Sequence, residues 1–162
     1  MKKITKESIV TGILIILWMV VIFHFSNQPG VTSGELSSGV CDGLVAKVNQ
    51  AFSLDWSSQM QQKIAQMIEF PVRKIAHMSE YALLALLLFM HLRAGKRSRG
   101  TRKNDVLAFL FTVVYAATDE FHQYFIPGRS AQVRDVLIDA LGAMLGLLLC
   151  YLTCEKWKNP LK

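Results

Sequence analysis

The chain has 162 residues, 52% of them hydrophobic and 19% charged, with a formal net charge of +6 at neutral pH. That length leaves room for one domain, and the apolar residues gather into long runs, which excludes an ordinary water-soluble domain and a disordered chain. The positive charge raises a nucleic-acid reading, but twelve of the 18 Lys and Arg residues fall in the N-terminal stretch, one loop and the C-terminal tail, where membrane topology accounts for them.

Four runs, at about residues 9–26, 75–92, 105–126 and 135–154, are each close to the ~20 mostly apolar residues that cross a bilayer. The expected fold is all-α: a single domain over 1–162, polytopic, with four transmembrane helices and an amphipathic helical segment between the first two. The first run exceeds the ~7–15 apolar residues of a signal peptide and lacks an A-x-A-like site, so it is expected to stay as an anchor. It ends in FHFSNQPG, where Pro29 and Gly30 mark the exit.

The outer segment, 27–70, opens with the polar VTSGELSSG and then places Val40, Leu44, Val48 and Phe52 at four-residue spacing. Met60, Ile64, Met67 and Ile68 continue the pattern, which predicts two short amphipathic helices lying on the outer membrane surface or capping the bundle. A small extramembrane helical hairpin is the alternative. Pro71 suits the first turn of the second span, which runs inward to the basic loop RAGKRSRGTRKN. The third span runs outward, PGRSAQ makes a short outer turn, and the fourth runs inward. Lys2, Lys3 and Lys6, the basic loop and the tail then share one side. The N- and C-termini are thus expected in the cytoplasm, with the protein in the plasma membrane. The basic loop also suits anionic headgroups, and nucleic acid is not expected as a partner. Cys41, Cys150 and Cys154 imply neither a disulfide framework nor a metal site.

A charged side chain at the centre of a transmembrane helix costs roughly 2.5–3.5 kcal/mol, so such residues need partners, water or the headgroups. The alternating topology brings many of them to one depth near the outer surface. The second span supplies Arg73, Lys74, His77 and Glu80; the third supplies Asp119, Glu120 and His122; the last turn and fourth span supply Arg129, Arg134, Asp135 and Asp139. Helical spacing puts Arg73, His77 and Glu80 on one face, Tyr115, Asp119, His122 and Ile126 on another, and Asp135, Asp139, Gly142 and Gly146 on a third. The G-x-x-x-G pair continues the aspartate stripe and predicts close approach of another helix. Asp119 and His122 are expected to converge with His77 and Glu80 in a polar core open to the outer leaflet, with Arg73 or Arg129 at its mouth. A structural network of ion pairs is the competing reading. His24, His91 and Trp18 are expected to be interfacial or packing residues. Tyr81, Tyr115 and Tyr124 suit an aromatic belt, though Tyr81 lies one turn from His77.

In order along the chain, R-K-x-x-H-x-x-E-Y, D-E-x-H-Q, P-G-R and D-x-x-x-D-x-x-G-x-x-x-G resemble VanZ-like membrane proteins, a family named for a teicoplanin-resistance determinant. The resemblance implies a four-helix integral membrane protein tied to reduced susceptibility to lipid-tailed glycopeptides or to cell-envelope maintenance. It implies motif positions without assigned roles: Arg73, Lys74, His77, Glu80, Tyr81, Asp119, Glu120, His122, Gln123, Arg129, Asp135 and Asp139.

Two functions fit these residues. One is a site for an amphiphile or lipid headgroup, with Arg73, Arg129 and Arg134 on phosphate or carboxylate. Membrane lipids, a lipid-linked cell-wall precursor or a lipoglycopeptide would be its partner. The other is a hydrolase or transferase acting on such a headgroup. His77 or His122 would then be nucleophile or base, with Asp119 or Glu80 orienting it. His77, Glu80, Asp119, His122 and Asp139 also form a candidate set for a divalent metal. The sequence does not decide between these chemistries.

Overall fold

The computed structural model describes residues 6–93 and 102–158. Lys2, Lys3, Lys162 and residues 94–101 of the basic loop lie outside the described residues. Within them the chain is all-α, in five helices: α1 Lys6–Ser26, α2 Gly30–Phe52, α3 Ser58–Arg93, α4 Arg102–Gln123 and α5 Val133–Lys158. Three of these, α1, α3 and α5, are long and apolar enough to cross a membrane.

The helices are built inside out relative to a water-soluble bundle. On α1 the buried residues are Thr11, Ile15, Ile22 and Ser26, while Ile16, Leu17 and Val20 point outward and are well exposed. On α5 the same holds for Leu141, Leu145, Leu148 and Leu149 outside, with Asp139 and Ala143 inside. The helix α4 buries Ala108, Thr112, Ala116, Asp119, Glu120 and Gln123 and exposes Phe111, Val114 and Phe121. Small and polar side chains inward, large apolar ones outward, is the arrangement that hydrocarbon favours.

The lower half of α3 is the centre of the bundle, packed against α1, α4 and α5. Against α1 it runs antiparallel, with Trp18 Nε1 donating to the Glu80 carbonyl at 2.9 Å and Thr11 Oγ1 3.0 Å from His91 Nδ1. His91, expected to be uninvolved, thus ties α1 to α3 at the end of the bundle that carries the start of α1. Against α4 it is also antiparallel: Arg93 Nη2 donates to both carboxylate oxygens of Asp105, at 2.9 and 3.1 Å, and its guanidinium lies over the Phe89 ring. Against α5 it runs parallel and close. A Cβ on Gly142 would collide with the Met78 carbonyl, and one on Gly146 with that of Ala82. The G-x-x-x-G pair therefore removes the side chains that would hold α3 and α5 apart.

Two expectations for the outer segment need correction. The second amphipathic helix and the second span are a single helix of 36 residues, α3, with Pro71 inside it. Proline forfeits one backbone hydrogen bond but its fixed φ is helical. Its neighbours Phe70 and Val72 are only middling helix formers, and α2 packs along this stretch to offset the loss. The buried face of α2 is also rotated from the expected one. Cys41 and Val45 are buried against Ala65, with Trp56, Ile64, Ile68 and Val72 around them, whereas Val40 and Phe52 are exposed. Two antiparallel helices touching side by side need small residues at the contact, and Cys41 and Ala65 supply them. The result is a helical hairpin with its own small core, closed by Ser37 Oγ donating to Glu69 Oε1 at 2.9 Å. Burial, with the charges of Glu69 and Asp42 nearby, pushes the Cys41 thiol above its ordinary pKa.

Candidate functional site

At the end of the bundle opposite the chain termini, α2, α3, α4 and α5 enclose a cavity of about 220 Å³. Each wall has a local cause. Phe70, Arg73, Lys74 and His77 sit on one face of α3 where the hairpin joins the bundle, so their side chains look into the gap beneath α2. Glu120 and Gln123 close the last turn of α4. The first two turns of α5 bring Arg134, Asp135, Ile138 and Asp139, and the α4–α5 loop brings Arg129, Ser130 and Gln132.

The loop is locked in place by contacts that sequence spacing does not reveal. Gly128 has φ +75°, a left-handed conformation that glycine adopts without strain. This lets the loop turn back so that Gly30 N–H donates to the Pro127 carbonyl at 3.0 Å. A Cβ on Gly30 would strike the Gly128 carbonyl. Arg129 then spends its donors on structure: Nε bonds the Gln28 carbonyl at 2.9 Å, Nη2 the Phe25 carbonyl at 2.9 Å, and Nη1 reaches Gln123 Oε1 at 3.4 Å. It adds a donor to the Phe25 carbonyl, which also accepts from the Gln28 N–H at 3.4 Å, and one to the Gln28 carbonyl just past the end of α1. Burial draws its pKa below the usual guanidinium value while Asp119 opposes that pull, and a guanidinium remains charged at neutral pH.

The other ionisable groups divide into satisfied and free ones. Lys74 Nζ pairs with Asp135 Oδ1 at 2.6 Å and lies over the Phe70 ring. Glu120 Oε2 accepts from the Gln132 N–H at 3.1 Å, next to the N-terminus of α5, where a carboxylate is favoured. Asp119, buried, accepts on Oδ2 from the Tyr81 hydroxyl at 3.0 Å and from Gln123 Nε2 at 3.2 Å, leaving its buried Oδ1 without a partner. Asp139 lines the cavity, is only 3% exposed, and takes no hydrogen bond or ion pair among the described residues. Arg73 lines the same cavity, and Arg134 stands at its rim with a side chain 62% exposed, 3.9 Å from Asp135.

The expected convergence is met in some of its members and not in others. His77 lines the cavity, and its Nδ1 is 3.6 Å from Glu80 Oε2, a distance for attraction rather than a hydrogen bond. Asp119 and Tyr81 lie behind the wall that Gln123 forms. His122 turns the other way: its Nε2 is 3.1 Å from Asn27 Oδ1 and its ring packs on Phe23, 4.8 Å between centroids. Tyr115 likewise faces α1 and donates to the Met19 carbonyl at 2.7 Å. The inward face of α4 is Thr112, Ala116, Asp119, Glu120 and Gln123, so Tyr115 and His122 flank it on the α1 side. Tyr124, on the outer surface, is well exposed.

The metal expectation fares accordingly. Among the described residues no three His, Cys, Asp or Glu side chains stand together in a way that could hold a metal ion, and the candidate set His77, Glu80, Asp119, His122 and Asp139 is split between the cavity, the wall behind it and the α1 side.

The cavity presents four cationic side chains, Arg73, Lys74, Arg129 and Arg134, three acids, Glu120, Asp135 and Asp139, and one imidazole, His77. Such a lining is polar and charged on most of its walls and is unsuited to an apolar ligand. Comparison with known proteins bears on whose cavity it is. The family model described as VanZ/LLP1 matches residues 11–154, which takes in every residue of the cavity. No curated protein and no solved structure matches the chain.

Proposed function

The chain belongs to the VanZ/LLP1 family, and from that premise we propose that it is a multi-pass plasma-membrane protein whose outward-facing cavity binds the polar head of an amphiphile. The observation that carries this reading is the charged, partly unpaired lining of the cavity and its depth along α3. From Arg73 to Arg93, at about 1.5 Å per residue, the helix rises about 30 Å, which matches the hydrocarbon core of a bilayer. With Arg93 and Asp105 at one boundary, Arg73 and the cavity stand at the other, among the headgroups.

Four spans follow on this reading: α1, the lower part of α3, α4 and α5. The exposed apolar face of α4 supports its place among them, although its inward polar residues lower its hydropathy. The basic N-terminal stretch, 94–103 loop and C-terminal tail favour a cytoplasmic position for both termini. The amphiphile is a membrane lipid, a lipid-linked wall precursor or a lipoglycopeptide, and the family name points to a teicoplanin-type resistance or an envelope-maintenance phenotype.

A test compares wild type with an Arg73→Gln/Arg134→Gln double variant in nanodiscs containing an anionic phospholipid, with retained lipid read by native mass spectrometry. The expected result is a several-fold loss of retained anionic lipid with unchanged helix content; equal retention overturns the reading. Expression in a teicoplanin-susceptible host, read as the inhibitory concentration, tests the resistance phenotype separately.

A membrane hydrolase or transferase is the second reading, favoured by His77 on the cavity wall beside Glu80. In it His77 takes a proton from an attacking water or hydroxyl, with the Glu80 carboxylate steadying the imidazolium that results. Release of a free headgroup by wild type, lost in a folded His77→Ala protein, would establish it. Binding without turnover would leave the first reading.

A further inference from the structure

The cavity has two ends of opposite character. At the rim, Arg134 keeps a largely exposed guanidinium beside Phe70, 5.8 Å from its ring, and Arg73 makes no ion pair among the described residues. Below, Asp139 is 97% buried yet faces the cavity without a protein donor. Its acidic neighbours are engaged elsewhere, Asp135 by Lys74 and Glu120 by the Gln132 N–H. A buried carboxyl with no donor is costly, and a ligand that supplies one recovers that cost. Arg134 and Asp139 are five positions apart on α5, about 7.5 Å along its axis. A phosphate joined to an ammonium by two carbons, with a hydrogen bond at each end, spans that rise.

Resting on the headgroup-binding reading, we propose that the cavity selects a zwitterionic amphiphile bearing a primary ammonium, with its phosphate on Arg134 and Arg73 and its ammonium on Asp139. A purely anionic head satisfies the rim and leaves Asp139 without a donor. A trimethylated head carries the positive charge but no N–H to give. The discriminating feature is therefore the N–H donor itself, since charge-assisted bonds of this kind are the strong ones.

The test uses the full chain in nanodiscs made from equal parts of phosphatidylcholine, phosphatidylethanolamine and phosphatidylglycerol, with co-purifying lipid measured by native mass spectrometry. The expected result is retention of phosphatidylethanolamine over phosphatidylcholine by on the order of tenfold, falling stepwise as the amine is methylated in a lipid series. This arm needs no variant. Asp139→Leu, which removes the acceptor, should bring the ethanolamine and choline lipids level, and Asp139→Asn, which keeps an uncharged acceptor, should fall between. Retention of phosphatidylglycerol with no preference for ethanolamine over choline overturns the selectivity and leaves headgroup binding standing. Retention of no lipid above its bulk share overturns both. Ready displacement of the lipid by soluble phosphoethanolamine overturns the assignment to a lipid-borne head.

Discussion

Tyr81 is completely enclosed, and its hydroxyl ends on Asp119 Oδ2, a carboxylate whose other oxygen is already without a partner. Tyr81→Phe keeps the ring and removes that donor, leaving Gln123 as the remaining one. Hydrogen bonds between membrane helices average well below those lost around a buried charge, so a cost of about 1–2 kcal/mol is expected, measured as a shift in the detergent-denaturation midpoint. A midpoint unchanged from wild type would show that this bond is immaterial to stability. The spacing of Tyr81 and His77 suggested a partner on its own helix, but the partner is on α4. Likewise Asp119 and His122 are three residues apart, and near-adjacent residues of a helix diverge once two neighbours, α3 and α1, lie on different sides. Residue type could mark these positions as polar in a membrane; it could not say which neighbour each would meet.

Among the elements, the α3–α5 contact was the most legible. Gly142 and Gly146 one turn apart, in line with two aspartates, foretold a close helix neighbour, and the carbonyls of Met78 and Ala82 occupy the space that side chains would need. Gly146→Leu is expected to cost about 3 kcal/mol or to prevent assembly, as overpacking at a backbone contact does. Leu148→Ala, at a half-exposed outward position, should be nearly silent. Size-exclusion profiles and denaturation midpoints of the two proteins would check this, and equal tolerance would argue against the interface. The junction at Pro71 was illegible for a physical reason: proline starts helices more often than it sits inside them, and only the packing of α2 alongside tips the balance. The Gly30–Gly128 contact was hidden too, because both glycines read locally as turns and no single sequence pairs two distant turns.

For the whole molecule, the inside-out burial and the clustering of basic residues make one prediction about orientation. In a variant lacking Cys41, Cys150 and Cys154, an impermeant maleimide applied to intact cells should label Ser130→Cys and leave Ser98→Cys untouched until the cells are opened. The opposite pattern would invert the topology and put the cavity on the cytoplasmic side. The continuity of α3 has a mechanical consequence here. If Arg73 stands at the headgroups, Ser58 to Val72 extend about 20 Å beyond them, and α2 returns along this stretch to Gly30 and Ser33, which themselves line the cavity. The hairpin and the cavity wall are therefore one piece: α3 passes through Pro71 without a break and carries Arg73 and Lys74, while α2 begins at Gly30, seated against the Gly128 carbonyl. A substitution near Trp56 that unseats α2 from α3 is expected to reach the cavity along both helices, although it lies far from every residue that lines it.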